Sequence, residues 1–560
     1  MGLKHSKAIR EISWSSKSRS EIIVKLTQTS FDLVIIGGGI TGAGIAREGQ
    51  LRGLNVALLD KHDFAWGTSS RSTKMAHGGI RYLANGEIRI VRESVTERNW
   101  LRVHFPNLVR PITFVFPTYE GGKDGMTTIK FAVRLYGFLG NFRSRFKNYA
   151  KYKFLKPEII ADLEPLLLQE KLRGAMQYYE TNVDDARLTL ESIKEAVVMG
   201  ATALNYAAVH DYIYNEEKKI CGVKFKDIET GNTFEVRGTQ VINATGAWVD
   251  ELLEDFPQTL IRPTKGVHII YDREDFPINS AIALRHTEDK RAYFVIPRND
   301  FVLLGTTDTD FSDDLDELYT DYNDWEYLVK STKHYFPNIN FGLDKVISTY
   351  AGARPLIMEI GKSESSVSRK HEIIDTPNGL VTITGGKLTI YRKMAEELIL
   401  LLRKKRIFPK LSKRKNISKC PFLIGAERDK WDLEAQKYDF PSDIKDNLYQ
   451  QYGWGGIEIL KLARDQSKFA ERLHEKRPFI YAEIAYIVDH ELPLHIADVL
   501  CRRMEVMLRI HPRFQEEIAK ITAEIMGERL NWDNKTKNDE IRQYLEYVDK
   551  NSFFLHVKTG

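Results

Sequence analysis

A chain of 560 residues, 42% hydrophobic and 28% charged, is longer than the roughly 250–300 residues at which one core stops growing, so two or three domains are expected. A formal charge of +5 is mild for that length; it suits contact with small anions or lipid headgroups and argues against nucleic-acid packaging. The three cysteines, Cys221, Cys420 and Cys501, form no CxxC pair and have no nearby histidine cluster, which argues against a disulfide framework and a metal site and fits a reducing compartment.

Residues 1–30 scatter basic residues without a continuous apolar stretch, so they read as a flexible extension rather than a secretory signal. No stretch approaches the ~20 apolar residues that span a bilayer, so membrane contact is expected to be peripheral or monotopic. The run at 31–36, FDLVII, is short and apolar and ends in glycines, which predicts a buried parallel strand. A helix is expected over 42–52 and a second strand over 55–60, NVALLD, so the chain opens with a β-α-β unit.

Between these elements lies Gly37-Gly38-Gly39-Ile40-Thr41-Gly42, a GxGxxG. Gly37 permits a tight turn and Gly39 lets backbone approach a pyrophosphate. Gly42 lets the helix pack on the strand while the helix N-terminus faces the anion. Asp60 closes the second strand, where a carboxylate can hydrogen-bond an adenosine ribose. The pattern predicts a dinucleotide site and leaves FAD and NAD both open.

Residues 200–246 read as β-rich pieces around the turn at 229–232, a hairpin returning to the first sheet. Segments 261–310 and 346–358 are short alternating strands. They suggest an antiparallel substrate domain, about 85–180 and 261–355, interleaved with a nucleotide-binding domain over 31–400. Within it, 131–154 lacks acidic residues and mixes aromatics with Lys and Arg, as a segment facing anionic lipid would. Residues 401–420 form a basic linker broken by Pro409. The remainder, 421–560, spaces apolar residues by three and four and is expected to be a helical domain without a catalytic constellation.

The run at 67–83, GTSSRSTKMAHGGIRYL, closely resembles the stretch in FAD-dependent glycerol-3-phosphate dehydrogenases that holds flavin phosphates and turns toward the flavin. The likeness continues at 184–187 (DDAR), 243–248 (NATGAW), 305–308 (GTTD), 351–355 (AGARP) and 385–392 (GGKLTIYR), and again in the tail at 483–503. Two positions depart from that family's signatures: Glu48 stands where aspartate is usual, and Ile390 where a small or polar residue is usual. The resemblance implies an α/β + α protein. Its parts would be a Rossmann-like FAD-binding domain of the glutathione-reductase/D-amino-acid-oxidase type, an inserted antiparallel-sheet substrate domain and a C-terminal helical domain.

The same resemblance assigns FAD to the glycine turn Gly37, Gly39 and Gly42 with Asp60, and to the loop residues Thr68, Ser69, Ser70, Ser72 and Lys74. It adds the turn His77, Gly78 and Gly79, then Ala244 and Gly246, and finally Gly386, Lys387, Leu388 and Thr389. A phosphorylated polyol is a dianion bearing hydroxyls, so its site needs converging cationic donors. Arg81, Tyr82, Arg369 and Lys387 are the family-matched set. His268 is the implied proton acceptor, suited by an unperturbed pKa of ~6.5, and Arg354 the group that steadies the developing alkoxide.

The implied reaction oxidises sn-glycerol 3-phosphate to dihydroxyacetone phosphate by hydride transfer from C2 to flavin N5, and electrons then pass to a membrane quinone. A glycerol-3-phosphate oxidase using oxygen and releasing hydrogen peroxide is the alternative that the substrate motifs leave open. The expected partners are the substrate, the quinone and an anionic lipid surface on the cytoplasmic face. A homodimer is left open, and no nucleic acid is expected.

Overall fold

The computed structural model describes residues 14–122, 125–141, 152–253, 259–358, 371–412 and 425–552. The first sheet runs in the order His371–Asp375, Val381–Gly385, Thr233–Asn243, Ser30–Ile36, Val56–Leu59, Thr202–Leu204. Ser30–Ile36 is central and parallel to both neighbours, with Leu33 opposite Val56 on one side and Gln240 on the other. Its Leu33, Val34 and Ile35 are fully buried. A parallel strand covered on both faces has no polar face, which is why the run reads as continuously apolar. The strands Ala207–Tyr214 and Ile220–Asp227 extend Thr233–Asn243 as antiparallel neighbours.

A nine-stranded second sheet is built from Arg110–Tyr119, Lys153–Leu155, Leu172–Asn182 and the strands between Ile261 and Ile357. It is antiparallel except where Ala281–Arg285 meets Arg110–Tyr119. Ile261–Asp272 and Val346–Ile357 pair along nearly their full length, which sets His268 opposite Tyr350 and Thr264 opposite Arg354. That register brings His268, Tyr350 and Arg354 to one region.

The C-terminal part is helical from Arg428–Ala435 to Asn534–Ser552 and has its own core around Trp431, Tyr452, Ile487 and Met526. It is tied to the first sheet by buried charges. Asp63 meets Arg502 and Arg503 at 2.6 and 2.7 Å, and Glu491 meets Arg187 and Lys194 at 2.8 and 3.0 Å. Removing one partner of such a pair strands a buried charge at a cost of about 3–5 kcal/mol, so this domain cannot be undocked lightly.

Two expectations need correction. Residues 1–30 are expected to be a flexible extension, yet Ser16–Ser18 and Arg19–Gln28 are helical. Trp14 is buried with its indole donating to the Ala203 carbonyl at 3.2 Å, and Ile22 and Leu26 join the core of the first sheet. Three buried apolar residues, with Arg19 paired to Asp227, anchor the segment, too few to stand out in a polar stretch. The basic linker expected over 401–420 is likewise helical at its start, because Tyr391–Lys404 runs into it and Phe408 packs on the same core. Residues 1–13 and 413–420 lie outside the described residues, as do 142–151 of the basic-aromatic segment. Among the described residues no helix is long and apolar enough to cross a membrane.

Candidate active site

Where Ser30–Ile36 ends, Gly37 turns with φ +109°, a conformation side chains rarely adopt, and a Cβ there would sit 2.6 Å from the Ala244 carbonyl oxygen. The helix Ile40–Leu51 starts at once, two residues earlier than the spacing suggested. Its Ile40 N–H donates to Ser69 Oγ at 2.9 Å. A Cβ on Gly42 would lie 1.9 Å from the Gly37 oxygen, so helix and turn are in backbone contact. The first turn of the helix, with its N–H groups and positive dipole end, lines a cleft at Gly39, Ile40 and Thr41.

Asp60 closes the neighbouring strand and accepts from Gly38 N at 2.6 Å and His62 N at 2.8 Å. Burial pushes its pKa up to about 6, against those two backbone bonds, so it remains largely ionised near neutrality. Further along the cleft stand Thr68, Ser69 and Ser72, then Ala244 and Gly246, then Gly386, Lys387 and Leu388. Its atom-free space is about 1320 Å³ with the open mouth included. The lining also includes Lys61, His62, Trp66 and Trp248, and Asp316 stands beside them. His62 stacks on Trp66 at 4.0 Å, and Asp316 accepts from the Trp248 indole at 2.8 Å and pairs with Lys61 at 3.0 Å. Only the fold brings Asp316, from the second sheet's side, to these neighbours of Asp60.

The loop hydroxyls are already engaged with protein. Thr68 donates to the Ala353 carbonyl, Ser70 to Trp66 and Gly67 carbonyls at 3.4 Å, and Ser72 to Asp185 at 2.6 Å. Lys74, assigned to FAD by resemblance, does not line the cleft. Its ammonium is buried 2.7 Å from Asp185 and 3.1 Å from Glu505, which satisfies the charge inside the protein. Ser70, His77, Gly78, Gly79 and Thr389 also stand outside the cleft's lining. Thr389 Oγ1 donates to the His77 carbonyl, Gly78 N donates to Glu180 at 3.3 Å, and Gly79 opens the 3-10 helix Ile80–Asn85.

Of the phosphate candidates, Lys387 has its ammonium 3.5 Å from the Tyr82 ring centroid, a close cation–π contact. Arg81 is described in its backbone only, one residue before Tyr82, and Arg369 lies outside the described residues. His268 is buried, 2% exposed, and stacks on Tyr350 at 4.8 Å. Its Nε2 lies 3.0 Å from Thr73 Oγ1, a partner unremarked in the sequence because the contact spans 195 positions. Burial first, then the charges of Arg354 and Lys74, hold this histidine well below its usual range, so the ring is neutral at pH 7. Arg354 is itself fixed by Asp308 at 2.9 Å, Thr306 Oγ1 at 2.7 Å and the Thr307 carbonyl at 2.8 Å.

The residues present fit FAD. A glycine turn at a helix N-terminus suits a pyrophosphate, Asp60 suits a ribose, and the cleft continues to Lys387 with room for a long cofactor. The departures noted in the sequence stand away from these contacts: Glu48 pairs with Arg52, and Ile390 is a buried core residue.

The FAD dependent oxidoreductase family matches residues 32–390, and the C-terminal domain of alpha-glycerophosphate oxidase matches residues 417–537. The aerobic glycerol-3-phosphate dehydrogenase of Staphylococcus haemolyticus (strain JCSC1435) is 36% identical over 507 residues, covering 87% of this chain and 89% of that protein. Its counterpart in Bacillus subtilis (strain 168) is 35% identical over 548 residues, covering 94% and 96%. The X-ray structure of the glycerol-3-phosphate dehydrogenase from Bacillus halodurans complexed with FAD aligns with a TM-score of 0.79 at 29% identity, covering 96% of this chain and 98% of that one. An L-alpha-glycerophosphate oxidase from Mycoplasma pneumoniae with FAD bound shares the fold, with a TM-score of 0.54 at 19% identity over 70% of this chain. With the cleft and these matches together, the chain is an FAD-dependent oxidoreductase that belongs to the glycerol-3-phosphate dehydrogenase family.

Proposed function

We propose that the protein oxidises sn-glycerol 3-phosphate to dihydroxyacetone phosphate and delivers the electrons to a membrane quinone. The observation that carries this reading is that the lining of the dinucleotide cleft includes Lys387, whose ammonium lies on the Tyr82 ring, and also Ser72 and Pro355, the chain neighbours of Thr73, which meets His268, and of Arg354. The names of the curated relatives support the same substrate. When bound, FAD supplies a two-electron acceptor that takes the C2 hydride at flavin N5.

The chain's own residues then have separate tasks. Lys387 and Arg81 draw the phosphate dianion, with Tyr82 beneath the ammonium and Arg369 as a further donor. Thr73 is the more accessible member of its pair with buried His268, so the C2 hydroxyl proton reaches His268 Nε2 through Thr73 Oγ1. A ring kept neutral is ready to receive it. Arg354 cannot wander, because Asp308 and Thr306 grip it, and a fixed guanidinium steadies negative charge as the hydroxyl loses its proton.

Quinone use requires a lipid surface, and one helix offers it. Met126–Asn141 buries Val133, Tyr136 and Leu139 but exposes Phe131 and Phe138, 68% and 59%, with exposed Arg134 between them. Residues seven apart share a helical face, so two phenyl rings and a cation present one interfacial surface. The protein would sit there as a peripheral or monotopic partner of anionic lipid on the cytoplasmic face.

Turnover with sn-glycerol 3-phosphate should be measured with a quinone analogue and with oxygen as the acceptor. Fast quinone reduction with little peroxide is expected. Stoichiometric peroxide at an equal rate would make the protein an oxidase.

A further inference from the structure

A buried chain of charges runs from the C-terminal helical domain to the back of the candidate proton acceptor. Lys74 adopts φ +53°, the left-handed region that disfavours a lysine, and so must be held there by its surroundings. Its ammonium lies 2.7 Å from Asp185, 3.1 Å from Glu505 and 3.3 Å from the Ser70 carbonyl, and the three ionic side chains are at most 2% exposed. Glu505 likewise has positive φ, 56°, two residues after the π-helical turn Asp498–Arg503, and its second oxygen faces Arg298 at 3.7 Å. Arg298 in turn donates to the Lys74 carbonyl at 3.4 Å. The residue before Lys74 is Thr73, whose hydroxyl meets His268. Two residues before it, the Ser72 carbonyl accepts from Tyr350, the ring stacked on His268.

We propose that Glu505 is a positioning residue for the oxidation: with Asp185 it clamps Lys74, and the clamp fixes the Thr73 hydroxyl on His268. The C-terminal domain thereby contributes to the reaction through one carboxylate, although none of its described residues lines the FAD cleft. This rests on the reading of His268 as the proton acceptor. The charged and titratable groups around that ring are Arg354 and Tyr350 from the strand Val346–Ile357, and Asp308 bound to Arg354. Beyond the loop are Lys74, Asp184 and Asp185, with Glu505 and Arg298 behind them. Lys74 is one of the charges that keep the ring neutral, and Glu505 offsets it.

The test compares Glu505→Gln, Glu505→Asp, Lys74→Met and His268→Gln holoenzymes, reading kcat per bound FAD, KM and the pH profile of kcat/KM. Groups that orient metal ligands from behind are worth about 10- to 100-fold, and on the same orienting logic Glu505→Gln should lose kcat by about that factor with KM little changed, and Glu505→Asp should recover part of it. Lys74→Met removes a positive charge near the ring and should move the acid limb up by about one pH unit, whereas Glu505→Gln should not raise it. The substrate's own phosphate ionisation is common to all variants, so only a limb that moves counts.

Should either single variant fail to fold, Lys74→Met combined with Glu505→Gln removes both charges at once. It should lose kcat while keeping the limb near its original place. Wild-type kcat per flavin in Glu505→Gln or in the double variant overturns the proposal while His268→Gln stays impaired. Wild-type kcat in His268→Gln overturns the proton-acceptor reading and this proposal with it.

Discussion

Gly42→Ala isolates the cofactor cradle from the rest of the site. Its methyl group would stand 1.9 Å from the Gly37 oxygen, where real contacts stay beyond 3.0 Å, so helix and turn must part by about 1.1 Å. Neither side has room. A Cβ on Gly37 would meet the Ala244 carbonyl at 2.6 Å, and on the helix a Cβ on Gly44 or Gly49 would lie 2.8 Å from Tyr391 or 2.9 Å from Val56. Overpacking of this kind costs about 1–3 kcal/mol. If that strain falls on the bound state, FAD affinity drops roughly 5- to 150-fold. The assay is FAD retained per chain after gel filtration, with the gain in Tm on adding FAD, which shrinks as affinity falls. A Gly42→Ala protein that keeps full FAD and the wild-type Tm gain would refute the contact between helix start and pyrophosphate turn.

Three further outcomes are expected. His268→Gln should keep FAD and lose about 10²- to 10⁴-fold in kcat; because burial, Arg354 and Lys74 hold the folded pKa below ~6.5, the unfolded chain takes up a proton that the folded ring refuses, so wild-type Tm should fall more steeply than the variant's as pH drops below ~6.5. Burial lowers the pKa of His495, but its contacts with Glu229 at 3.2 Å and Glu540 at 2.8 Å prevail and push it up to about 11, which stabilises the fold fully below ~6.5 and is lost as pH rises toward 11. The Tm deficit of His495→Gln should therefore be full just below ~6.5 and fade across that alkaline window; a deficit independent of pH would deny the charge. Phe131→Ser with Phe138→Ser should weaken binding to anionic vesicles by tenfold or more, since each inserted ring contributes about 1.5–3 kcal/mol, and unchanged partitioning would remove this helix as the anchor.

The parts legible in the sequence are those whose cause is local. The strand at 30–36, the glycine turn and Asp60 all lie within about one β-α-β unit, where spacing alone dictates that turn, helix start and carboxylate converge. The strands of the second sheet were legible from their alternation and the helical C-terminal part from apolar residues at three- and four-residue spacing, and the family motifs agreed with both. What stayed hidden depends on partners far away in sequence. The resemblance assigns Lys74 to FAD, and nothing near it in the chain reveals Asp185 and Glu505, 111 and 431 positions on. Thr73 and Tyr350 acquire meaning only once the strand register sets them against His268. The N-terminal helix escaped notice because its packing rests on Trp14, Ile22 and Leu26 within a polar surround.

The central claim is that FAD in this cleft is reduced by glycerol 3-phosphate. Anaerobic titration of the purified holoenzyme with sn-glycerol 3-phosphate, followed by flavin absorbance, tests it without reference to the acceptor. Loss of the oxidised-flavin spectrum is expected, together with formation of dihydroxyacetone phosphate in equal amount, while unphosphorylated glycerol leaves the spectrum in place. A holoenzyme that holds FAD and keeps its oxidised spectrum at saturating sn-glycerol 3-phosphate would contradict the account.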